Sequence, residues 1–264
     1  MPGLAALGAL SGEVTSVSCA SAGNCTAGGD YGDVRYLKAF VLSEVNGTWS
    51  NALRVPGIAV LSGGRGAGVV SVSCALPGNC AAVGSYLTSH GGRQGFVVSE
   101  VNGSWRRALA VPGLAALSGG GSAEVRSVSC GAPGSCAAGG YYRTGNRSHG
   151  FVVSEVNGSW QRALQVPGLA ALDKAGIAEV MSVSCGAVGS CAADGDYYNG
   201  GTGSGAFVAN ASDGVWRMAL PVRFAGRVGW PSFGQSRAAG QVTVRQAGTT
   251  LTASAEIKRS SLAR

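Results

Sequence analysis

Long apolar runs and histidines are both scarce in this sequence. No apolar stretch approaches the roughly eighteen residues that a membrane-spanning helix needs. The two histidines, His90 and His149, fall at unrelated positions, and no serine lies in a Gly-x-Ser-x-Gly motif, so a catalytic triad has little material. No segment has the 3.6-residue apolar spacing of a long helix. These absences argue against a membrane-spanning chain, a serine hydrolase and a helical fold.

Glycine is plentiful instead, and the cysteines recur at a fixed interval. A block of about 55 residues occurs four times, and its first cysteine advances by 55, 56 and 55 residues. The members of this series are Cys19, Cys74, Cys130 and Cys185. A phenylalanine and a tryptophan keep the same step, at Phe40, Phe96, Phe151 and Phe207 and at Trp49, Trp105, Trp160 and Trp216. A period of this length is typical of a propeller, a solenoid or an array.

Each block predicts four short antiparallel strands. In the third block, residues 124–130 alternate apolar and polar side chains, and a strand of small residues follows from Cys136. The run from Phe151 is rich in β-branched residues, and the strand from Trp160 ends at Pro167, which cannot donate to a ladder. A type I′ turn joins the last two strands of each block, at Asn46-Gly47, Asn102-Gly103, Asn157-Gly158 and Asp213-Gly214.

The stretches between blocks are rich in Leu, Ala and Gly and predict one short helical turn or a loop. They span residues 56–68, 112–123 and 167–178. Residues 1–12 contain the same Pro-Gly-Leu-Ala-Ala-Leu motif, so we interpret them as an inter-repeat connector and not as a targeting peptide. We therefore expect the chain to belong to a longer exported array with further blades upstream.

One sheet of this size cannot bury its own faces, so neighbouring blocks must stack. The predicted fold class is all-β: a β-propeller-like stack of four four-stranded antiparallel blades with about 55 residues per repeat. The domain spans residues 13–222, with blades at approximately 13–56, 68–112, 124–167 and 179–222. Residues 223–264 form a basic tail rich in Arg, Gly and Ser, in which residues 241–245 and 249–257 could pair as a hairpin and which could otherwise be disordered.

Two blocks end the second strand with a diglycine, followed by an aromatic residue and then a tryptophan. These are Gly28-Gly29 with Tyr31 and Trp49, and Gly139-Gly140 with Tyr141 and Trp160. The pattern resembles the kelch-type propeller repeat. The cysteine pairs are not part of the kelch pattern, so the resemblance implies a variant with paired cysteines, as in an exported repeat protein. The resemblance covers about residues 13–222 and implies a blade fold. The other two blocks depart from it at Val83-Gly84 and Asp194-Gly195.

The hairpin of each block offers a second likeness. Its sequence Ser-Glu-Val-Asn-Gly-x-Trp occurs in the first three blocks. It is similar in placement to the Asp-box hairpins of sialidase-like propellers, although it does not match their consensus.

The eight cysteines form four pairs with five intervening residues each. In the strand assignment every pair faces across the first hairpin, where a disulfide fits. A zinc site is the alternative, but zinc prefers shorter Cys-x-Cys spacings with further Cys or His nearby. Disulfides imply an extracellular or cell-surface protein. The expected bridges are Cys19–Cys25, Cys74–Cys80, Cys130–Cys136 and Cys185–Cys191.

The formal net charge of +7 is confined to the C-terminal part of the chain. Residues 1–216 hold twelve Lys/Arg and twelve Asp/Glu, whereas residues 217–264 hold eight basic residues and one acid, Glu256. The repeats therefore lack an electrostatic footprint for nucleic acid, and no such partner is expected for them. A basic tail can contact nucleic acid or an anionic surface, but scattered arginines without interleaved aromatics are more typical of a solvated end.

The carboxylates recur with the repeat, whereas a catalytic site needs residues that break the symmetry. Glu44, Glu100 and Glu155 share one position, which predicts a structural role. We expect a chain that is not an enzyme, with no catalytic residue, metal or cofactor. The alternative is a fragment of a propeller hydrolase, such as a glycosidase. Asp194 and Asp196, with Asn199, could ligate Ca²⁺, but no bidentate Glu follows at loop spacing.

The loops between strands two and three vary most among the blocks, and binding residues concentrate on such loops. We expect a non-catalytic extracellular module that binds a carbohydrate or protein partner there; a surface spacer without a ligand is a further alternative. The isolated chain should be a monomer of marginal stability or self-associate to close a ring. The candidate ligand-binding residues are Tyr31, Arg35, Tyr36, Tyr86, His90, Arg93, Tyr142, Arg143, Arg147 and Tyr198.

Overall fold

The computed structural model of the chain is all-β, with one antiparallel sheet, or blade, per repeat. It describes residues 2–200, 203–225, 239–246 and 249–256, and of residues 223–225 and the last two ranges the backbone alone. The first blade contains β1 (Ser11–Ser21), β2 (Asn24–Gly32), β3 (Leu37–Val45), β4 (Thr48–Trp49) and β5 (Leu53–Arg54). A one-turn helix, α1 (Ile58–Ser62), leads to the second blade.

The other blades repeat this order. The second contains β6 (Ala67–Leu76), β7 (Asn79–Leu87), β8 (Arg93–Val101), β9 (Ser104–Trp105) and β10 (Leu109–Ala110), followed by α2 (Leu114–Leu117). The third contains β11 (Ala123–Ala132), β12 (Ser135–Thr144), β13 (Arg147–Val156), β14 (Ser159–Trp160) and β15 (Leu164–Gln165), followed by α3 (Leu169–Leu172). The fourth contains β16 (Ala178–Ala187), β17 (Ser190–Tyr198), β18 (Ser204–Ser212), β19 (Val215–Trp216) and β20 (Leu220–Ala225).

The predicted connectors and turns are confirmed. Each stretch between blades holds one short helix, and residues 5–7 near the N-terminus form a 3₁₀ turn of the same motif. The asparagine and glycine of each hairpin turn both have positive φ, as a type I′ turn requires: φ is 50° at Asn46 and 79° at Gly47. Asp213 adopts the same conformation in the fourth blade, with φ of 52°.

The fourth strand of each blade is not the single strand predicted. Two short segments, β4 and β5 in the first blade, both pair with the third strand and are separated by a break. The reason is a backbone hydrogen bond between units. In the break of the second blade, the N–H of Ala108 turns away from the ladder and donates to the carbonyl of Pro56, in the preceding connector, at 2.8 Å. Ala163 and Ala219 donate in the same way to the carbonyls of Pro112 and Pro167.

Each blade has two faces. The leading face packs on the preceding blade and carries a valine pair, which is Val69 and Val72 in the second blade. The trailing face meets the following blade and carries the first residue of the diglycine position. A Cβ on Gly28 would lie 2.6 Å from Val69 Cγ1, so the glycine lets the valines pack against the strand. The repeated phenylalanines are fully buried in the resulting cores: Phe40, Phe96, Phe151 and Phe207.

The serines of the Ser-Val-Ser-Cys motif join the first strands of neighbouring blades. Ser16 Oγ accepts a hydrogen bond from the N–H of Val72 at 3.0 Å, and Ser18 Oγ accepts one from Cys74 at 3.1 Å. The same two bonds recur at the next two boundaries. Ser71 and Ser73 are the acceptors at the second boundary, and Ser127 and Ser129 are the acceptors at the third. These hydroxyls therefore satisfy backbone donors that the antiparallel ladder leaves unpaired.

The second glycine of the diglycine is needed for a close backbone approach. A Cβ at Gly29, Gly84, Gly140 or Gly195 would lie 1.9 to 2.0 Å from a carbonyl oxygen of the first strand. That contact is impossible for any side chain, and the glycine is present in all four blades. The first position faces the next blade instead and accepts Val83 and Asp194, which accounts for the two departures from the kelch pattern.

The sheet of the fourth blade continues into the basic tail. β20 pairs with β18 and with β21 (Ala239–Gln246), and β21 pairs with β22 (Thr249–Glu256) as a hairpin. Ile257, the last residue of the proposed hairpin strand, lies outside the described residues. None of the helices in the described part of the chain has the length and apolar character needed to cross a membrane.

Candidate functional site

The structure brings four of the ten predicted binding residues together. A groove of about 370 Å³ lies between the first and second blades, at the end that carries the loops between strands two and three. Arg35 and Tyr36 from the first blade and Tyr86 and Arg93 from the second line it. The loop of one blade therefore faces the strands of the next, and the ligand groups of a site here would come from two repeats.

The loop of the first blade is shaped by Asp33. Its Oδ1 accepts hydrogen bonds from the N–H groups of Arg35, at 2.8 Å, and Tyr36, at 2.9 Å. Its Oδ2 pairs with the ammonium of Lys38. These bonds hold the pKa of Asp33 well below its usual range, with the hydrogen bond from Lys38 as the largest cause. An Asx turn of this kind fixes the backbone from which the Arg35 and Tyr36 side chains project.

Arg93 lines the groove on the side of the second blade, and two neighbouring side chains fix its position. Its Nη1 donates to Ser85 Oγ at 3.1 Å, and its Nε lies 3.4 Å from Glu124 Oε1 in the third blade. Tyr86 is buried and lines the groove, and burial raises the pKa of its phenol. The guanidinium is thus oriented by two neighbours and remains half exposed.

Asp30 also lines the groove, and sequence reasoning missed it. Burial raises the pKa of its carboxyl, and the charge of Glu13 raises it further. The two residues are directly paired across β1 and β2. The signal was available in the strand register, because a second carboxylate opposite Glu13 is unfavourable unless something else requires it. The groove therefore combines one carboxylate with two guanidinium groups and two phenols.

The remaining predicted residues lie elsewhere. Tyr31 and Tyr142 are buried on β2 and β12, and the ring of Tyr142 lies 5.1 Å from that of His149. His90 is exposed in the loop after β7. Arg143 and Arg147 are exposed in the third blade, and Tyr198 is exposed at the end of β17. Arg143 packs over the ring of Tyr141, with 5.5 Å between the guanidinium carbon and the ring centroid.

A second cavity, of about 570 Å³, lies between the same two blades at the opposite end, beside the cysteine turns. Thr26, Ser43, Glu100 and Trp105 line it. The corresponding space between the second and third blades measures only about 20 Å³. The first blade has the short side chains Ser50 and Asn51 at this end, both of which line the larger cavity. The second has Arg106 and Arg107 at these positions.

The repeated glutamates are structural at this end. Glu100 Oε1 accepts a hydrogen bond from Ser43 in the preceding blade at 3.0 Å, and Glu155 Oε1 accepts one from Ser99 at 2.7 Å. Both carboxyls are buried, and burial raises the pKa of each. Each glutamate therefore lies at its own blade boundary.

The four predicted disulfides are present. Cys19–Cys25, Cys74–Cys80, Cys130–Cys136 and Cys185–Cys191 have S–S distances of 2.05 to 2.09 Å, and each pair faces across the first hairpin of its blade. Bridges of this kind are typical of oxidising extracellular environments. Among the described residues, no three His, Cys, Asp or Glu side chains are grouped so that they could hold a metal ion.

Comparison of the chain with protein-family models and with curated proteins finds no match to either.

Proposed function

We propose that the chain is a non-catalytic extracellular module that binds a carbohydrate in the groove between its first two blades. The observation that carries this proposal is the joint lining of the groove by Arg35, Tyr36, Tyr86 and Arg93 with Asp30. The exposed phenol of Tyr36 offers apolar area with a polar tip, while guanidinium and carboxylate groups supply the directional hydrogen bonds that hydroxyl-rich ligands need. A volume of about 370 Å³ falls within the range of small-ligand sites.

The charge of the groove favours ligands that carry acidic groups. Arg35 and Arg93 line it with one carboxylate, Asp30, and Arg93 stays half exposed although its Nε lies 3.4 Å from Glu124 Oε1. A guanidinium recognises a carboxylate or sulfate in two parallel hydrogen bonds. An acidic glycan is therefore the first ligand class to test.

The kelch-like pattern and the disulfides support the proposal of an extracellular module. Both suit an exported repeat protein, and placement at the cell surface or outside it is part of the proposal. The hydrolase alternative has less support, because Glu100 and Glu155 are buried and hydrogen-bonded at separate boundaries. Paired glycosidase carboxylates lie roughly 5–10 Å apart on opposite sides of one bond.

The test is a glycan array, including acidic glycans, probed with the whole chain, followed by titration calorimetry on the hits. Arg35→Ala and Arg93→Ala should each weaken binding by about tenfold or more, because each removes a charged donor from the groove. Arg147→Ala is the matched control: Arg147 is exposed at the start of β13 in the third blade, as Arg93 is at the start of β8, but it lies outside the groove, and its loss should leave the affinity unchanged.

Three results would contradict the proposal. An array without any hit, together with capture of a protein partner that depends on Arg35 and Arg93, would show that the groove recognises protein. Equal losses for Arg147→Ala and Arg35→Ala would place the site elsewhere. Turnover of a polysaccharide that disappears when one carboxylate is replaced would identify an enzyme.

A further inference from the structure

The leading face of the first blade is an apolar surface on which no other blade packs in the described part of the chain, although Leu4 and Leu7 of the N-terminal connector contact this blade. Val14 is 42% exposed and Val17 is 59% exposed. Their counterparts in the second blade, Val69 and Val72, are 1% and 6% exposed under the preceding blade. With Pro2, Ala27, Leu42 and Trp49, the two valines line a hollow of about 250 Å³. Exposed apolar surface of this kind marks an interaction site.

The three internal boundaries show what such a face packs against. Each covering strand presents a glycine or valine to the valine pair: Gly28, Val83 and Gly139. Each covering blade also supplies two serine hydroxyls, which accept from the backbone N–H of the second valine and of the first cysteine. The equivalent donors in the first blade are the N–H groups of Val17 and Cys19. An occupant of this face must therefore offer a small or apolar residue and two serine hydroxyls.

Charge adds a further requirement. Where a blade has glutamate at the start of its first strand, the preceding blade supplies arginine: Arg93 lies 3.4 Å from Glu124, and Arg126 lies 2.6 Å from Glu179. Where the second blade has Gly68 instead, the preceding blade supplies a carboxylate. Asp30 Oδ2 is 3.1 Å from the point where a Gly68 Cβ would lie.

The first blade has Glu13 at this position, paired with Asp30 across β1 and β2. At the internal boundaries each such glutamate pairs with an arginine of the preceding blade. We therefore expect an arginine opposite Glu13 on the partner that covers this face.

The trailing face of the fourth blade does not meet these requirements. Ser182 and Ser184 provide the two hydroxyls, but Asp194 replaces the glycine and Asp196 stands where it would meet Glu13. Met181 stands where the third blade has Arg126. Packing this face on a first blade would bury Asp194 against valines and oppose two carboxylates, which is unfavourable on both counts. Polar residues on such a face favour solubility over stacking in repeat proteins.

We propose that the leading face of the first blade is a docking surface for another blade of this repeat type, one that carries an arginine opposite Glu13 and is not the fourth blade of a second copy. The partner is identified by its chemistry: a β-sheet face with glycine or valine over Val14 and Val17, two strand serines and one guanidinium. Asp194 and Asp196 keep copies of the chain from supplying that face to one another.

The test gives the fourth blade the residues of the third at three positions. The variant Met181→Arg, Asp194→Gly, Asp196→Tyr copies Arg126, Gly139 and Tyr141 onto the trailing face of the full chain. Sedimentation equilibrium over a concentration series should find the native chain monomeric and the triple variant associated head to tail. Adding Glu13→Arg to the triple variant should weaken the association by about tenfold or more, because two guanidinium groups then face each other. Adding Val17→Asp should abolish it.

Two results would overturn the proposal. A triple variant that is folded by circular dichroism, has all eight cysteines oxidised and stays monomeric would show that the first-blade face does not accept a blade of the stated chemistry. A native chain that self-associates, and loses that association on Val17→Asp, would show that a second copy is the occupant.

Discussion

Trp160 Nε1 donates a hydrogen bond of 3.1 Å to the hydroxyl of Ser99 in the preceding blade. The same hydroxyl donates to Glu155 at 2.7 Å, so one serine connects two side chains of the third blade. At the next boundary Trp216 Nε1 donates a hydrogen bond of 3.0 Å to the hydroxyl of Ser154 in the same way. At the first boundary Trp105 Nε1 is buried without a hydrogen-bond partner, beside the larger cavity. The repeats therefore share a fold without having equal boundaries.

Replacing Ser99 should be costly for that reason. Ser99→Ala leaves the partly buried indole N–H of Trp160 and the buried Glu155 carboxyl without their partner, and we expect a loss of about 1–3 kcal/mol in the free energy of unfolding. Urea unfolding followed by tryptophan fluorescence measures it. Ser43→Ala is the matched control, because Ser43 bonds Glu100 but accepts no bond from Trp105, and it should cost less. Equal losses would contradict the role assigned to the tryptophan bond.

The buried glutamates predict a pH dependence of stability. Because burial raises the pKa of Glu155 above its usual 4.5, the folded state binds more protons than the unfolded state between 4.5 and the raised value. This contribution to stability is fully present below pH 4.5 and is lost as the pH rises through the folded pKa. Glu155→Gln keeps an acceptor for Ser99, so it should equal or exceed the native chain in stability at neutral pH.

The comparison is made by urea unfolding from neutral pH down to 4.5. The native chain should gain more stability over this range than Glu155→Gln, and the advantage of the variant should shrink as the pH falls. Glu44→Gln is the control, since Glu44 holds the same repeat position in the first blade, where it is only partly buried and no other blade packs on it in the described part of the chain. Identical pH profiles for the native chain and Glu155→Gln would refute the prediction.

The two glycines of the third-blade diglycine should respond differently to alanine. A Cβ on Gly140 would lie 2.0 Å from the carbonyl oxygen of Glu124, so the backbone itself must move, and we expect a loss above about 3 kcal/mol. A Cβ on Gly139 meets the side chain of Val180 at 2.6 Å, so a side chain and not the backbone must give way, and the change should cost less, about 1–2 kcal/mol. Thermal melts of both variants test the order, and Gly139→Ala as the more damaging change would reverse the explanation.

Most of the repeat architecture could be predicted because it is encoded locally. The Asn46-Gly47 turn needs positive φ at both residues, and alternation along residues 124–130 needs no distant partner to be recognised as a strand. The broken fourth strand could not be predicted, since it depends on the bond from Ala108 to Pro56 in another unit. Local pattern defines a strand, but bonds between blades decide where it ends.

The candidate site could be predicted only in part, because loop variation is visible in the local sequence whereas contacts between strands and blades are not. Loop variation pointed to Arg35, Tyr36 and Arg93, which do share a groove. Burial of Tyr31 and Tyr142 was missed because their neighbours in sequence are polar loop residues, whereas their packing partners come from other strands. Which boundary would be open also depends on side chains facing each other across blades, and a single repeat does not contain that information.

The disulfides should contribute strongly to stability in a chain this rich in small residues. Each bridge closes a loop with a sequence separation of 6, which the chain-entropy model values at roughly 2 kcal/mol. Reducing agent should therefore lower the melting temperature markedly. Thiol titration of the native chain, denatured without reductant, should find no free thiol, and titration after reduction should find eight.

A chelator separates the bridges from a zinc site. Zinc held by the same cysteines would leave eight reactive thiols after denaturation with a chelator, and the melting temperature would fall on chelation alone. Disulfides predict the opposite pattern, with a melt that responds to reductant and ignores the chelator. The variant Cys185→Ala, Cys191→Ala removes one bridge and should lower the free energy of unfolding by roughly 2 kcal/mol. A melt unchanged by reductant would exclude the disulfide contribution, and with it the main support for an exported protein.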